Sequence, residues 1–398
     1  MEDHCRSQRA YRRVLQNFSG RQSRTDCLRS IQRRKTMSIN FSYDFLIVGQ
    51  GLAGSITALM LEDAGYNVML IEEGKEKTSS RVAAGIFHPV TGRRIVFSWK
   101  ARELYDYATS FYERTESKLG EKFFHRKLIL EVMGTAREYN DWQGRLAQPE
   151  FSRLHKDEAI NPEYDNCLQS HAGKLLLGDS GWMDITRFLS VTEKHFSEQG
   201  KLTKAKFIPG KLERIENGYR YELGKFQKII FCEGIDSFEN LFWNYLPFNP
   251  ARGEILNVSI PGLPEDHIIM SGIFILPLGN SVFRIGSTYS WNYPESKPTE
   301  QGLMELEKKL REAIRLPYKV LDHQAGIRPT VLDRRPLVGK HPEKEDMYIL
   351  NGLGTKGVML GPYFAHELIE NIQCGKAINS EADIARYSHL FFQSGKSA

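Results

Sequence analysis

Gly49, Gly51 and Gly54 stand in the spacing Gly-x-Gly-x-x-Gly, and Glu72 closes the next apolar run. Residues of these types in this order are suited to holding a dinucleotide. The first glycine permits a tight turn out of a strand, the second lets backbone approach a pyrophosphate, and the third lets a helix lie close on a sheet. The pyrophosphate would rest on the helix opening at Leu52 and Ala53, where unpaired N–H groups and the macrodipole favour negative charge without a lysine. Glu72 is placed to accept hydrogen bonds from ribose hydroxyls, whereas strand alternation points Glu73 to the opposite face.

Such a motif recurs by chance, so its surroundings decide. Leu46 to Val48 form an apolar run suited to a buried parallel strand; Ile56, Leu59, Met60 and Ala64 mark one helical face, and Gly65 ends the helix. A second strand, glycine turn and helix stands towards the other end of the chain, in MYILNGLGTKGVMLGPYFAHELIENI, its helix opening between Thr355 and Val358. Two such elements imply one sheet assembled from both ends of the chain, with the residues between them inserted. A cofactor lying between the two helix openings would rest its pyrophosphate on the first. It would turn towards the second the part that gains negative charge, which for a reduced isoalloxazine is the N1 and C2 carbonyl edge.

The middle of the chain supplies further elements. SSRVAAGIFHPVTGRR brings the small residues Ser80, Ala83, Ala84 and Gly85 into a segment that a flat ligand can approach, and a helix follows with Leu104, Tyr107, Ala108, Phe111 and Tyr112 on one face. Strand-like stretches at 127–133 and 174–177 flank a polar helical segment. Asp184 is placed to cap a helix, and the strand Lys228 to Cys232 runs into Glu233 and Gly234. Alternating segments between 251 and 290 read as an antiparallel sheet wet on one face, before a Pro-rich loop and a charged helix over 300–314. The expected fold class is α/β plus α+β. A discontinuous Rossmann-like, dinucleotide-binding domain covers 40–118, 180–240 and 325–380; an inserted domain with a mixed antiparallel sheet, holding the substrate, covers 119–179 and 241–324; a tail covers 381–398.

The chain has 398 residues, 41% hydrophobic and 26% charged, which excludes wholesale disorder. No apolar run approaches the roughly 20 residues that a membrane-spanning helix needs. The net charge of +5 is local: residues 1–36 hold ten Lys or Arg against three acids, a balance of +7, which leaves −2 for residues 37–398. A near-neutral bulk argues against a broad nucleic-acid surface. The leader lacks the apolar core of a secretory signal, and Glu2, Asp3 and Asp26 count against an organellar transit peptide; the fold begins within a few residues of Met37, a candidate start. Cys5, Cys27, Cys167, Cys232 and Cys374 show no short pairing and no Cys-x-x-Cys, so neither a disulfide frame nor a zinc site is indicated; a reducing, cytoplasmic setting is expected, with no metal.

With these residues in view, the chain resembles the D-amino acid oxidase family of FAD enzymes, in particular glycine oxidase and the FAD domain of the bifunctional bacterial enzyme that matures 5-methylaminomethyl wobble uridines. The resemblance rests on the fingerprint through Glu72, AAGIFHP, GWMDITRFL, FCEGIDS, ARGEIL, AGIRP and NGLGTKGVMLGP. It implies that Arg328 binds a substrate carboxylate, that Gly354, Thr355, Lys356, Gly357 and Val358 touch the flavin, and that Ala83, Ala84 and Gly85 lie beside flavin N5 with Ile86 near the substrate. It also implies a backbone contact to adenine near Leu212. The family's usual Ala-x-Gly is here Cys232-Glu233-Gly234, which adds an acid, and HPVTGRR is more basic than glycine oxidase leads one to expect.

The implied activity is FAD-dependent oxidation of a C–N bond in a small amino acid or secondary-amine carboxylate, by hydride transfer to flavin N5 with oxygen or another electron acceptor. The alternatives are tRNA wobble-uridine side-chain modification, or a flavoprotein dehydrogenase with a different acceptor. Arg328 would fix the carboxylate with a bidentate fork; its competing role is an ion pair with Asp333. Lys356 is placed to stabilise an anionic reduced flavin. His88, Arg93 and Arg94 form a cluster able to attract an acidic group, with turn-shaping by His88 before Pro89 as the plainer role. Tyr289 and Tyr293 are the candidates for an active-site tyrosine.

Overall fold

The computed structural model describes residues 42–75, 78–91, 95–291 and 297–393. The basic leader, Cys5, Cys27, Arg93, Arg94 and Tyr293 lie outside the described residues. From Tyr43 the chain forms strand β1 (Tyr43–Val48), helix α1 (Leu52–Asp63), strand β2 (Val68–Glu72) and a single helical turn, α2 (Ser79–Val82). After a long excursion, β3 (Gly224–Phe231) returns to the same sheet. The strands β4 (Ala251–Ser259), β5 (Ile268–Met270), β6 (Phe274–Gly279) and β7 (Val282–Gly286), helix α3 (Glu300–Ala313) and β8 (Lys319–Arg328) build a second layer. The chain then closes with β9 (Met347–Asn351) and helix α4 (Gly357–Cys374).

The first sheet runs Leu202–Lys204, β2, β1, β3, β9, all parallel, with Leu337–Lys340 antiparallel beside β9. Its central strands are apolar throughout because both faces are covered. Phe45 and Ile47 face α1, α4 and the helix Ala101–Leu119, while Leu46 and Val48 face Trp243, Tyr245 and Phe391. The sheet is therefore Rossmann-like and discontinuous, drawing strands from both ends of the chain.

Helix α1 is buried almost all round, more than its expected stripe of apolar residues: Ala58 and Leu61 are buried beside Ile56 and Leu59, and Ala64 lies exposed past the helix end. Its second neighbour accounts for this. A Cβ on Gly357 of α4 would stand 3.0 Å from Leu52 Cδ2, and one on Gly361 would stand 2.6 Å from Ile56 Cδ1. The two glycines, one turn apart, let α4 lie against α1 and bring the two helix openings side by side. Pro362 removes the N–H that would bond Val358 inside α4, and the buried Tyr112 hydroxyl donates to that carbonyl instead, at 2.8 Å.

The second sheet runs β8, β4, β7, β6, β5 antiparallel, and continues parallel into Ile129–Met133 and antiparallel into Gly173–Leu177. Leu256, Val258, Phe283 and Ile285 form its dry face and pack on Leu306 and Leu310 of α3, while Asn257, Ser259 and Arg284 on the other face stay half-buried, the alternation expected of a sheet with one wet face. Gly253 and Ile255 turn the other way. Asp184 caps its helix by accepting from Arg187 N, as its residue type predicts. Cys167 and Cys232 are free and buried. No helix among the described residues is long and apolar enough to cross a membrane.

Candidate active site

A cavity of about 1000 Å³ follows the C-terminal edge of the parallel strands, from Val48, Glu72, Gly234 and Asn351 across to Arg328 on the second sheet. That is the edge where open parallel sheets bind ligands. Of the expected site residues, Gly49, Gly51, Leu52, Ala53, Glu72, Ser80, Ala83, Ala84, Gly85, Ile86, Gly234, Arg328, Gly354, Thr355, Lys356, Gly357 and Val358 line it.

Two do not. Gly54 sits behind the wall, where a Cβ would stand 1.8 Å from Gly49 O and 3.4 Å from Cys232 Cβ, so its bareness lets α1 meet the sheet. Leu212 closes a short helical turn over Pro209–Lys211 and packs beside the core; Ala205, Lys206, Phe207 and Pro209 line the cavity in its place. The turn carries the chain away from the cavity before Leu212 is reached.

At the glycine turn each residue has a physical reason. Gly49 has φ +96°, and a Cβ there would stand 2.6 Å from Cys232 O. No side chain caps α1 at Gly51, and a Cβ on Gly51 would meet only Ser80 Oγ, at 3.4 Å, so the space before it belongs to the cavity. Gln50, 2% exposed, is tied by its amide to Ser55 Oγ and Leu189 O. The Glu72 carboxylate accepts from Gln50 N at 2.6 Å and Gly74 N at 2.9 Å, which fixes it at the end of β2 with acceptor capacity left for a ribose.

The neighbouring acid, Glu233, lines the cavity and accepts from Asn240 Nδ2 at 2.7 Å. Burial is the largest influence on it and outweighs the Asn240 bond, pushing its carboxyl up to about 7. Burial likewise pushes the Cys232 thiol up to about 12, so it remains neutral.

Midway, Gly85 has φ +73°, and a Cβ would stand 2.0 Å from Met183 O; the bare residue lets this loop lie on Gly181–Met183. Arg284 braces the loop by donating to Ala83 O at 3.3 Å. Phe87 packs in the core behind the loop, and Ile86 and His88 on either side of it line the cavity. Among the described residues His88 Nδ1 is buried without a hydrogen-bond partner, and burial, then the nearby Lys356 charge, pulls the imidazole down to about 4. His88 is neutral at neutral pH. Lys356, at the opening of α4, donates to Ser98 Oγ at 2.8 Å; burial, then Arg335, lowers its ammonium from the ordinary lysine range.

At the far end, Arg328 donates to Ser287 Oγ at 2.9 Å, and its guanidinium lies 5.3 Å from the Tyr289 ring centre. Among the described residues it has no carboxylate partner within 4.0 Å: Asp333 is taken by Arg386 at 3.0 Å. A buried cation without an anion is costly unless a ligand completes it. Gly253 is a residue the motifs did not single out as functional. A Cβ there would stand 2.0 Å from Arg328 Nη2. No group of His, Cys, Asp and Glu among the described residues is arranged to hold a metal.

The glycine turn, the Glu72 carboxylate at the end of β2 and the long cavity reaching Arg328, which has no carboxylate partner among the described residues, fit a dinucleotide with a small acid beside it. The family model described as DAO, FAD dependent oxidoreductase, matches residues 44–371. The chain belongs to this family. FAD is the cofactor of this oxidoreductase.

A glycine oxidase of Bacillus licheniformis is 27% identical over 369 residues, covering 85% of this chain and 95% of its own. The tRNA 5-methylaminomethyl-2-thiouridine biosynthesis bifunctional protein MnmC of Legionella pneumophila (strain Corby) is 26% identical over 323 residues, covering 75% of this chain; the chain spans only 45% of that relative's length. The crystal structure of glycine oxidase from Bacillus cereus shares the fold, with a TM-score of 0.70 at 18% identity over 84% of this chain and 96% of that one.

Proposed function

We propose that this oxidoreductase oxidises a C–N bond in a small amino acid or secondary-amine carboxylate. The observation that carries the reading is Arg328: a largely buried guanidinium, open to the cavity and lacking an anion, at the opposite end from the glycine turn. Bound FAD supplies a two-electron acceptor for the hydride leaving the carbon next to nitrogen. The chain supplies position and field. Arg328 holds the carboxylate by paired N–H donors and so fixes which C–H bond faces the acceptor.

In this reading the amides opening α1 at Leu52 and Ala53 hold the pyrophosphate, with Gly49, Gly51 and Ser80 shaping the turn, and Glu72 holds the ribose. Gly234 would border the cofactor, and the small residues Ala83, Ala84 and Gly85 would leave room at its reactive edge. Ile86 excludes water beside the substrate. The α4 opening at Gly354, Thr355, Gly357 and Val358, with the Lys356 ammonium, favours negative charge on the cofactor. His88, being neutral, adds no opposing charge. The acceptor that reoxidises the cofactor is oxygen or another electron acceptor.

The similarity to MnmC favours one second reading, modification of a wobble-uridine side chain in tRNA. Anaerobic loss of flavin colour on adding amine carboxylates tests the first reading, and salt-dependent tRNA binding tests the second. Bleaching by amino or secondary-amine carboxylates supports the first. Colour retained with all of them, together with salt-sensitive tRNA binding, supports the second.

A further inference from the structure

The second sheet sorts its residues by face. Along β4, Arg252 and Glu254 point away from the cavity into a polar network, where the Glu254 carboxylate, 1% exposed, accepts from Thr299 N at 3.0 Å and Thr299 Oγ1 at 2.8 Å, with Arg252 at 3.1 Å and His323 at 2.8 Å. The alternate residues Gly253 and Ile255 face the cavity, joined there by Met270 of β5, Phe274 of β6 and Arg328 of β8. Phe274 and Ile255 converge over Gly286, where a Cβ would stand 2.8 Å from Phe274 Cζ and 2.9 Å from Ile255 Cγ2.

The wall beside Arg328 is thus one guanidinium and one serine hydroxyl set in Ile86, Ile255, Met270 and Phe274. Arg284 shares the sheet face, but its donors go to Asn257 Oδ1 at 3.1 Å and Ala83 O, and it does not line the cavity. Among the described residues this wall offers a second anionic group no cation.

Resting on the reading of Arg328 as a carboxylate clamp, we infer that the substrate is an amino monocarboxylate whose remaining substituent, on the nitrogen or the α-carbon, is apolar. The carboxylate meets Arg328 and Ser287, and the substituent lies on Ile255, Met270 and Phe274. Glycine leaves that wall uncovered, and a dicarboxylate buries a second charge against it without a partner.

The test is anaerobic flavin reduction in the purified holoenzyme, comparing glycine and iminodiacetate with sarcosine, N-ethylglycine, and both enantiomers of proline, pipecolate and norvaline. At least one apolar-substituted compound should reduce the flavin with roughly tenfold or greater specificity over glycine, and iminodiacetate should trail all of the active ones. Phe274→Ala and Met270→Ala, each checked for full FAD content, should narrow the gap to glycine, and Phe274→Arg should raise the rate with iminodiacetate. Glycine or iminodiacetate reacting fastest in the wild type overturns this inference and leaves the amine-carboxylate reading standing. No reduction by any compound of the panel overturns both.

Discussion

Gly253 and Arg328 occupy one volume that admits no third group: the guanidinium lies where a side chain on Gly253 would begin, 2.0 Å from the position of a Cβ. The register explains the contact, since β4 pairs Ala251 with Arg328 and Gly253 with Gly326, so the arginine runs along its partner strand over the bare residue. Gly253→Ala should therefore displace Arg328 while leaving the dinucleotide end untouched. KM for a carboxylate substrate is expected to rise about tenfold or more, because an ångström of misplacement is expensive in a positioned complex. Steady-state kinetics with FAD content as control check this; unchanged KM would show that Arg328 tolerates the shift.

Arg328→Leu removes the cation itself. KM should rise about a hundredfold, the worth of a paired, charge-assisted hydrogen bond, with FAD still stoichiometric. Kinetics indistinguishable from wild type would take Arg328 out of the site.

Two glycines of the same motif should fail in different ways. A side chain on Gly51 meets only Ser80 Oγ at 3.4 Å, so Gly51→Val should fold and purify colourless. Gly54→Ala puts a carbon 1.8 Å from Gly49 O and should lower the yield of folded protein. Circular dichroism and flavin absorbance separate the two outcomes, and a yellow Gly51→Val protein would refute the pyrophosphate assignment.

Tyr112→Phe leaves the Val358 carbonyl without a donor, because Pro362 cannot supply one. The expected loss is about 1–3 kcal/mol, read from urea unfolding. A variant as stable as wild type would mean that water or a neighbour replaces the hydroxyl.

Glu233 makes stability depend on pH. Its folded-state carboxyl titrates at about 7 against an ordinary 4.5. A group raised in this way binds its proton better in the folded state, so the folded form loses stability as pH rises from about 4.5 to about 7, and the loss is complete above that. The expected size is about 3 kcal/mol. Glu233→Gln should gain relative to wild type across this window, measured as the difference in urea midpoints of the apoprotein. Parallel curves for the two proteins would contradict the buried, strained carboxyl.

Much of the nucleotide end was legible because its determinants are local. Gly49, Gly51 and Gly54 act within one turn, and Glu72 ends the next strand. Gly253 carried no such signal: its role arises only when β4 and β8 pair in one register. Tyr112 was read as a core residue on a helical face, which is true of its ring; its hydroxyl matters because of a proline far along the chain. Leu212 had no local signal of its own: the turn at Pro209–Lys211 sets Ala205–Phe207 and Pro209 against the cavity and Leu212 beside the core. The alternation of the second sheet was legible because it too is a local pattern, and α3, a charged helix, covers its dry face with Leu306 and Leu310.

The wall formed by β9 and α4 carries a consequence for biogenesis. Those elements come from 347–374, translated after β3 and α1, yet they seat against both and close the cavity around Gly354 and Val358. A nascent chain still holding these residues inside the ribosome has the glycine turn but only half a container. Flavin loading must therefore follow release of the last strand, and ribosome-stalled chains ending before Met347 should stay colourless at FAD concentrations that saturate the finished protein.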